Sequence, residues 1–366
     1  MPELTWTVIN VTQSNLDITQ YVRSLNFTMG RPSPLSPYSG NSASITMTSY
    51  GGIETYVAVN NQILIKASAT GIGNSDVFKG IIASRDFNDL PGTGLNSTMT
   101  VNINDSLLQA GMLNLINQSL VQTDTQIQEI DSLYPQIYLS SAITTVLMST
   151  GTFTVNANQR INEIIAGDRG VLKNSTGNTS YLTPYAFNNF ASFTIGSTTS
   201  ATQIAYQNLV RIEAASNSLF YTQATVTGSA STETKSSAAL TTYGTRTFTA
   251  TTAQSNLVSG TAEWYANAFS DPDVAQLFLS FSDVAQNELA LRLFKSFLAN
   301  NAFLQVSYTP PGGVSTTGYY WPEQITVNAT TSQTTIDMLM TPLTYYANFI
   351  LDDAVFGVLD TDRLGV

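Results

Sequence analysis

Residues 17–47 read DITQYVRSLNFTMGRPSPLSPYSGNSASITM, and this stretch decides the fold. Tyr21 to Met29 reads as a strand, with Val22 and Leu25 among its apolar positions. Gly30-Arg31-Pro32-Ser33-Pro34 breaks it, and a third proline follows at Pro37. A strand resumes at Ala43-Ser44-Ile45-Thr46-Met47. On the N-terminal side, Leu4, Trp6 and Val8 alternate with polar residues, the period of a half-buried strand. On the other side come Gln62-Ile63-Leu64-Ile65-Lys66 and Val77-Phe78-Lys79-Gly80-Ile81-Ile82. Segments containing Asn, Gly and Pro separate these runs. Several short strands with turn signals predict a barrel or a sandwich.

The period then changes. Leu108, Met112, Leu115 and Ile116 share one face of a helix, for which Asp105 or Ser106 is the expected N-cap. Further helices are expected at Ser141 to Ser149 and at Asn158 to Ala166, the second with Ile161, Ile164 and Ile165 on one face. Gly167 is placed to end it in the left-handed conformation. A strand through Val171 and Leu172, a polar turn at Asn174 to Asn178 and a return strand through Tyr181 and Leu182 complete a small α/β unit. From Ala191 the strand pattern returns. Gln207 to Glu213 is expected to pair with Tyr221 to Thr227. The Ser/Thr-rich stretch between Gly228 and Ala239 reads as a mobile loop. Helices are expected at Gly260 to Phe269 and at Val284 to Phe297, the latter with a stripe of Leu289, Leu293 and Phe294. Strands at Leu304 to Tyr308, Gln324 to Asn328 and Thr335 to Met340 precede a tail, Asn348 to Val366. There is no tandem repeat of solenoid length.

Composition narrows the function classes. A chain of 366 residues suits two or three domains. Only 11% of residues are charged, against about 25% in an average globular protein. With 17 Phe, 17 Tyr and 3 Trp the chain is too aromatic for intrinsic disorder. The net charge of −11, from 25 acidic and 14 basic residues, argues against a basic phosphate-tracking surface. There is no Cys and no His. That excludes disulfides, thiolate or imidazole zinc sites, and every hydrolase built on Ser-His or Cys-His. Met1-Pro2-Glu3-Leu4-Thr5-Trp6 has no targeting pattern, and no run of 18 apolar residues exists. The expectation is a soluble protein, or one assembled into something larger.

Paired carboxylates are the remaining catalytic candidates: Asp271 with Asp273, Asp352 with Asp353, and Asp360 with Asp362. Each also has a turn explanation, because Asp before Pro starts turns and Asp-x-Asp suits exposed loops. Asp360-Thr361-Asp362 lacks the Gly and Glu of a calcium loop. Gly71-Ile72-Gly73-Asn74 and Gly92-Thr93-Gly94 neither follow a strand nor open a helix, so they are not phosphate loops. Tyr319-Tyr320-Trp321 could stack sugars, but a strand entering a core or an interface accounts for it better. No residue is assigned a catalytic, cofactor-binding or metal role, and no cofactor is implied.

Several segments, taken together and in order, resemble the hub or minor tail proteins at the tip of tailed bacteriophages, which are related in architecture to contractile-tail baseplate hubs. The segments are Asp17 to Val22, Gly30-Arg31, Ser39 to Met47, the "F-x-G-x-I" strand Phe78 to Ile82, and the approach to a helix from Val101 to Leu108. Arg160 to Phe187 is similar to that family's small inserted unit. Leu240 to Arg246 is similar to its "Y-G-x-R" segment, with Leu240 in place of Ser. Thr261 to Phe269 with Trp264, Val306 to Gly312 and Phe349 to Asp360 complete the likeness. Gln118 to Gln136 has no counterpart, and there is no C-terminal spike or enzymatic extension.

The resemblance implies a mainly β fold with α+β parts: two β-barrel-like domains with a small inserted helix-plus-hairpin α/β unit. The expected division is 1–105, 106–190, 191–345 and a tail at 346–366. It further implies a non-enzymatic homotrimer at the virion tail tip, assembled in the host cytoplasm, whose ring joins tail tube to tip and lets DNA pass. Its partners would be distal tail or tube proteins, tail fibre or tip proteins and the tape measure, with no sequence-specific nucleic acid binding and no membrane span. An acidic lumen would repel phosphates and suit such a conduit. The alternatives are a receptor- or glycan-binding β protein at the tail tip, an outer-membrane porin, and a carboxylate-only glycosidase.

Overall fold

The computed structural model describes residues 4–48, 52–69, 73–88, 97–112, 119–120, 151–152, 156–168, 171–175, 178–182, 189–198, 200, 202–205, 209, 211–214, 219–253, 258–272, 276–282, 290–293, 302–309 and 315–346. The first strands are β1 (Thr5–Asn10), β2 (Leu16–Asp17), β3 (Val22–Gly30), β4 (Ser42–Thr48), β5 (Gln62–Ser68), β6 (Ser75–Asn88) and β7 (Thr98–Asn104). β8 (Ser119–Leu120) and β9 (Gly151–Thr152) pair with each other, as do β10 (Val171–Ser175) and β11 (Asn178–Leu182). Then come β12 (Asn189–Gly196), β13 (Gln203–Ala205), β14 (Arg211–Ala214), β15 (Gln223–Thr227), β16 (Thr232–Ser236) and β17 (Thr247–Thr251). The last are β18 (Leu277–Phe281), β19 (Ala302–Tyr308), β20 (Thr316–Thr330) and β21 (Thr334–Pro342). Among the described residues the helices are α1 (Ile53–Tyr56), α2 (Ser106–Ala110), α3 (Ala157–Asp168), α4 (Leu240–Tyr243) and α5 (Val258–Ala268), with residues 290–293 also helical.

Fourteen strands form one continuous sheet. Its N-terminal part runs in the order β3-β4-β7-β6-β5-β1-β2. β4, β5 and β7 alternate strictly. In β7, Met99, Val101 and Ile103 face inward, while Thr98, Thr100, Asn102 and Asn104 face outward. The sheet curls until β1 returns towards β3, so that Trp6 meets Phe27 edge-on at 5.7 Å between ring centroids, and Phe27 lies 5.8 Å from Phe78. Burying rings and branched side chains of this size stabilises by about 1.5–3 kcal/mol each.

β20 joins this part to the rest. Along one edge, Thr316 to Tyr320 pairs with β19 and Gln324 to Thr330 pairs with β3. Along the other, Tyr320 to Ala329 pairs with β21. The register shifts between Pro322 and Gln324, so Glu323 is the extra residue of a bulge. Pro322 sits at this bulge, where a missing N–H is tolerated. One core consequently spans both parts, from Val8, Phe27 and Val101 to Leu279, Val327 and Met338. A second core lies between α5 and the three-stranded sheet β16-β15-β17 and includes Val226, Ala262, Tyr265, Phe269 and Tyr345.

The structure corrects several expectations. Asp105 does cap a helix, accepting from the Leu108 amide, but α2 stops at Ala110. Capping turns Leu107 inward, and Met112 is 75% exposed instead of lying on a buried stripe. Leu115 and Ile116 lie outside the described residues. α3 does not end at Gly167 but continues to Asp168. β14 pairs with β18, not with the strand at Tyr221 to Thr227. The expected loop between Gly228 and Ala239 contains β16, whose Thr-rich backbone is held by antiparallel pairing to β15. An edge strand whose partner buries Ala224 and Val226 needs no apolar residues of its own. The expected helices at Ser141 to Ser149 and Val284 to Phe297 lie outside the described residues, except for helical residues 290–293.

Gly30 ends β3 with φ +88°, and a Cβ there would stand 1.9 Å from the Glu323 carbonyl oxygen. Gly30→Ala is therefore expected to lower the unfolding free energy by at least about 2 kcal/mol, measured by urea titration.

Candidate functional site

The chain crosses from β3 to β4 through the proline-rich segment, which runs over the bulge in β20. The bulge and the Gly30 turn bring two scarce charges together in the interior. The Arg31 side chain is 7% exposed and the Glu323 side chain 0%. Arg31 Nε is ion-paired with Glu323 Oε1, and its backbone N–H donates to the Glu323 carbonyl at 2.9 Å. A guanidinium nitrogen also donates to Tyr346 Oη at 3.2 Å, and Tyr346 Oη donates to Glu323 Oε2. The guanidinium carbon lies 4.4 Å from the centre of the Tyr38 ring. Burial would drive the proton off Arg31, but Glu323 and the two phenols hold it, so the guanidinium stays charged. Burial, with the Glu323 charge beside it, pushes the Tyr346 phenol well above its ordinary range.

A second polar chain ties the same turn to α2. The Gly30 amide donates to Asn41 Oδ1 at 2.9 Å, and Asn41 Nδ2 donates to Asp105 Oδ2 at 2.7 Å. The Leu108 amide donates to Asp105 Oδ1 at 2.8 Å. Burial pushes the Asp105 carboxyl up to about 6, against the opposing pull of these hydrogen bonds.

The proline-rich segment also borders a cleft of about 270 Å³. α3 forms one wall and is anchored on both sides. Asn162 exchanges hydrogen bonds with the Tyr38 backbone at 2.7 and 3.0 Å, while the Glu163 carbonyl accepts from Ala253 at 3.1 Å. Pro34, Pro37, Phe248 and Trp264 supply apolar walls. Arg160 and Glu163 form an ion pair at 3.1 Å on α3. Beside the cleft, Tyr345 stacks on Phe269 at 4.5 Å and reaches the second core, while its neighbour Tyr346 reaches the first ion pair.

Of the acidic candidates, only Asp271 lies among the described residues; Asp273, Asp352, Asp353, Asp360 and Asp362 lie outside them. Burial, with a contribution from Asp271, pushes the Tyr345 phenol up to about 12. Among the described residues there is no group of three or more Asp or Glu able to hold a metal ion. Tyr319-Tyr320-Trp321 lies within β20; Trp321 is 4% exposed and packs edge-on against Phe303. The Arg31–Glu323–Tyr346 group was not foreseen from the sequence. The available signal was a lone Glu beside Pro322 in a strand otherwise free of charge.

The sequence matches no family profile and no curated protein. Solved structures do match in fold. A tail protein of Neisseria meningitidis superposes with a TM-score of 0.56 at 10% identity, over 94% of this chain and 98% of that one. The 43 kDa tail protein of prophage MuSo2 from Shewanella oneidensis gives 0.55 at 11%, again over 94% and 98%. A chain of a Francisella PdpA–VgrG complex gives 0.51 at 11%, over 93% of this chain and 58% of that one. The fold is thus that of phage tail proteins, shared with a VgrG complex, over nearly the whole chain.

Two outcomes test the buried groups. Glu323→Ala should cost about 3–5 kcal/mol, because it strands a buried cation, and Arg31→Met with Glu323→Leu should recover much of that loss. Denaturant titrations of the three proteins check it. Asp105 keeps its proton up to about pH 6 when folded and releases it near 3.8 when the chain is unfolded and the carboxyl is in water. Its contribution is complete below the lower value and is lost as pH rises through the upper one. Wild-type stability relative to Asp105→Asn should therefore fall between pH 4 and 6, by about 1.4 kcal/mol per pH unit at the steepest.

Proposed function

We propose that this protein is a structural virion component, the hub of a phage tail tip. Three copies form a ring that joins the tail tube to the tip and lets DNA pass. The observation that carries this reading is the superposition of 94% of the chain, including both parts joined by β20, onto the Neisseria tail protein and the Shewanella prophage tail protein along 98% of their lengths. Two barrel-like units, 1–105 and 191–345, with the helical and hairpin unit 106–190 between them, would each occupy one of six alternating places in the ring. The partners are the tube or distal tail proteins above, tip or fibre proteins below, and the tape measure. The role is architectural and not enzymatic.

The competing readings find less support. The aromatic run considered for a glycan platform, Tyr319-Tyr320-Trp321, ends on a Trp321 that is buried in the sheet. A porin needs an apolar outer band and a polar interior. The curled N-terminal sheet has the reverse order, with Ile63 and Ile65 inside and Gln62 and Lys66 outside.

Light scattering on a sizing column in detergent-free buffer tests the reading. A mass near 118 kDa, three times 39.4 kDa, is expected, with ring-shaped particles in images. A monomer that persists at high concentration, or a protein soluble only in detergent, would contradict it.

A further inference from the structure

The cleft beside the proline-rich segment is bordered by an open sheet edge. In the sheet β16-β15-β17, β15 is central and β17 pairs with it in parallel. Among the described residues no strand lies along the other edge of β17. Hydrogen bonds at its two ends show which backbone groups face that edge. The Arg246 carbonyl accepts from the Gln223 amide at 3.1 Å, and the Thr252 amide donates to the Thr227 carbonyl at 2.9 Å, both towards β15. Successive residues of a strand direct their backbone groups to alternate edges. Phe248 and Ala250 therefore also face β15, while Thr247, Thr249 and Thr251 turn their N–H and C=O the other way. The next residue of that series, Ala253, donates to the Glu163 carbonyl of α3 at 3.1 Å, which closes the edge at its end. Thr249 and Thr251 line the cleft, so their outward backbone groups border it. An edge of this kind is a template for a further strand.

The rest of the cleft says what that strand should be made of. Its charged lining groups, Arg31 and Glu163, are each already ion-paired, so among the described residues it offers no free charge. Trp264 and Tyr265 supply apolar surface on the α5 side of the sheet, where Phe248 packs 4.9 Å from the Tyr265 ring. A neutral segment with apolar residues at alternate positions fits such a slot. Tyr346 also lines the cleft, and the chain runs on from it as Ala347-Asn348-Phe349-Ile350-Leu351 before reaching Asp352-Asp353. The uncharged run is five residues long, the length of β17. Ala347, Phe349 and Leu351 form one alternate set, matched to Phe248 and Ala250 on the neighbouring strand.

We propose that residues 347–351 add to β17 as a short extra strand in this cleft, so that the chain closes its own sheet edge with the segment that follows Tyr346. Backbone hydrogen bonds to Thr249 and Thr251 give the affinity, and Phe349 and Leu351 beside Trp264 give the register. A segment tethered this closely has an effective concentration on the order of millimolar, which a separate partner would have to exceed. The two carboxylates at Asp352 and Asp353 end the strand, since the cleft holds no free cation to receive them.

Hydrogen exchange read residue by residue tests this in the full chain. In the wild type the Thr249 and Thr251 amides should be protected. Phe349→Asp with Leu351→Asp should speed their exchange by about tenfold or more, the loss of an ordinary hydrogen bond, while the Ala250 amide, bonded to β15, keeps its rate. Unprotected Thr249 and Thr251 amides in the purified wild type, or equal rates in wild type and variant, would overturn the proposal. If the double variant fails to fold, Thr249→Pro gives the reading from the other side. It removes one outward N–H and no bond to β15, and should speed exchange at residues 349–351; unchanged rates there would overturn the proposal. Isotope-labelled wild type assembled with an excess of unlabelled double variant identifies the donor. Retained protection in the labelled chain is expected, and its loss would place the strand from a second copy and overturn the own-chain assignment.

Discussion

The structure depends on one strand that joins the two parts of a single sheet. β20 gives its first residues to β19 and its last to β3, and β21 lies along the opposite edge from Tyr320 to Ala329. A strand shared in this way cannot be removed from one half without opening the other. It also fixes register: Ile325 and Val327 must face the common core in the same frame as Leu25 and Phe27. A slip of one residue would turn Thr326 and Asn328 into that core and expose the apolar set. The bulge at Glu323 marks the changeover from one partner strand to the next.

The placement of the few charges follows from this. Arg31 and Glu323 sit where the shared strand and the Gly30 turn meet, and the Tyr346 phenol supplies further hydrogen bonds. A buried ion pair is weak evidence of stability, because desolvation offsets much of its attraction. Its geometry is a better guide. Two charges that must find each other across 292 residues of sequence select one crossing of the chain over the bulge. Across β20, β3, β4 and β7 the outer face relies on Ser, Thr and Asn, which satisfy their polar groups across strands.

Much of the β architecture was legible locally. Alternation identified β1, and short apolar-rich runs bounded by Asn, Gly and Pro identified β3, β4, β5 and β6. The hairpin of β10 and β11, α3 and α5 were legible for the same kind of reason, from a polar turn or a shared apolar face. The misses are non-local. β16 has no apolar residue to mark it, since its pairing partner supplies the burial. The length of β20 was also hidden: Tyr319 to Trp321 and Gln324 to Asn328 read as separate strand signals, because Pro322 interrupts the pattern that the bulge accommodates. The Arg31–Glu323–Tyr346 group could not be read from spacing, because its members meet only after the sheet has closed over them.

The most direct measurement of this account is native-state hydrogen exchange, followed with increasing denaturant. If β20 couples the two parts, amides in β3 and β4 and amides in β19 and β21 should converge on one opening free energy, with Val327 and Ile325 among the last to exchange. Separate convergence, with β3 to β7 opening as a unit while β19 to β21 stays closed, would contradict it.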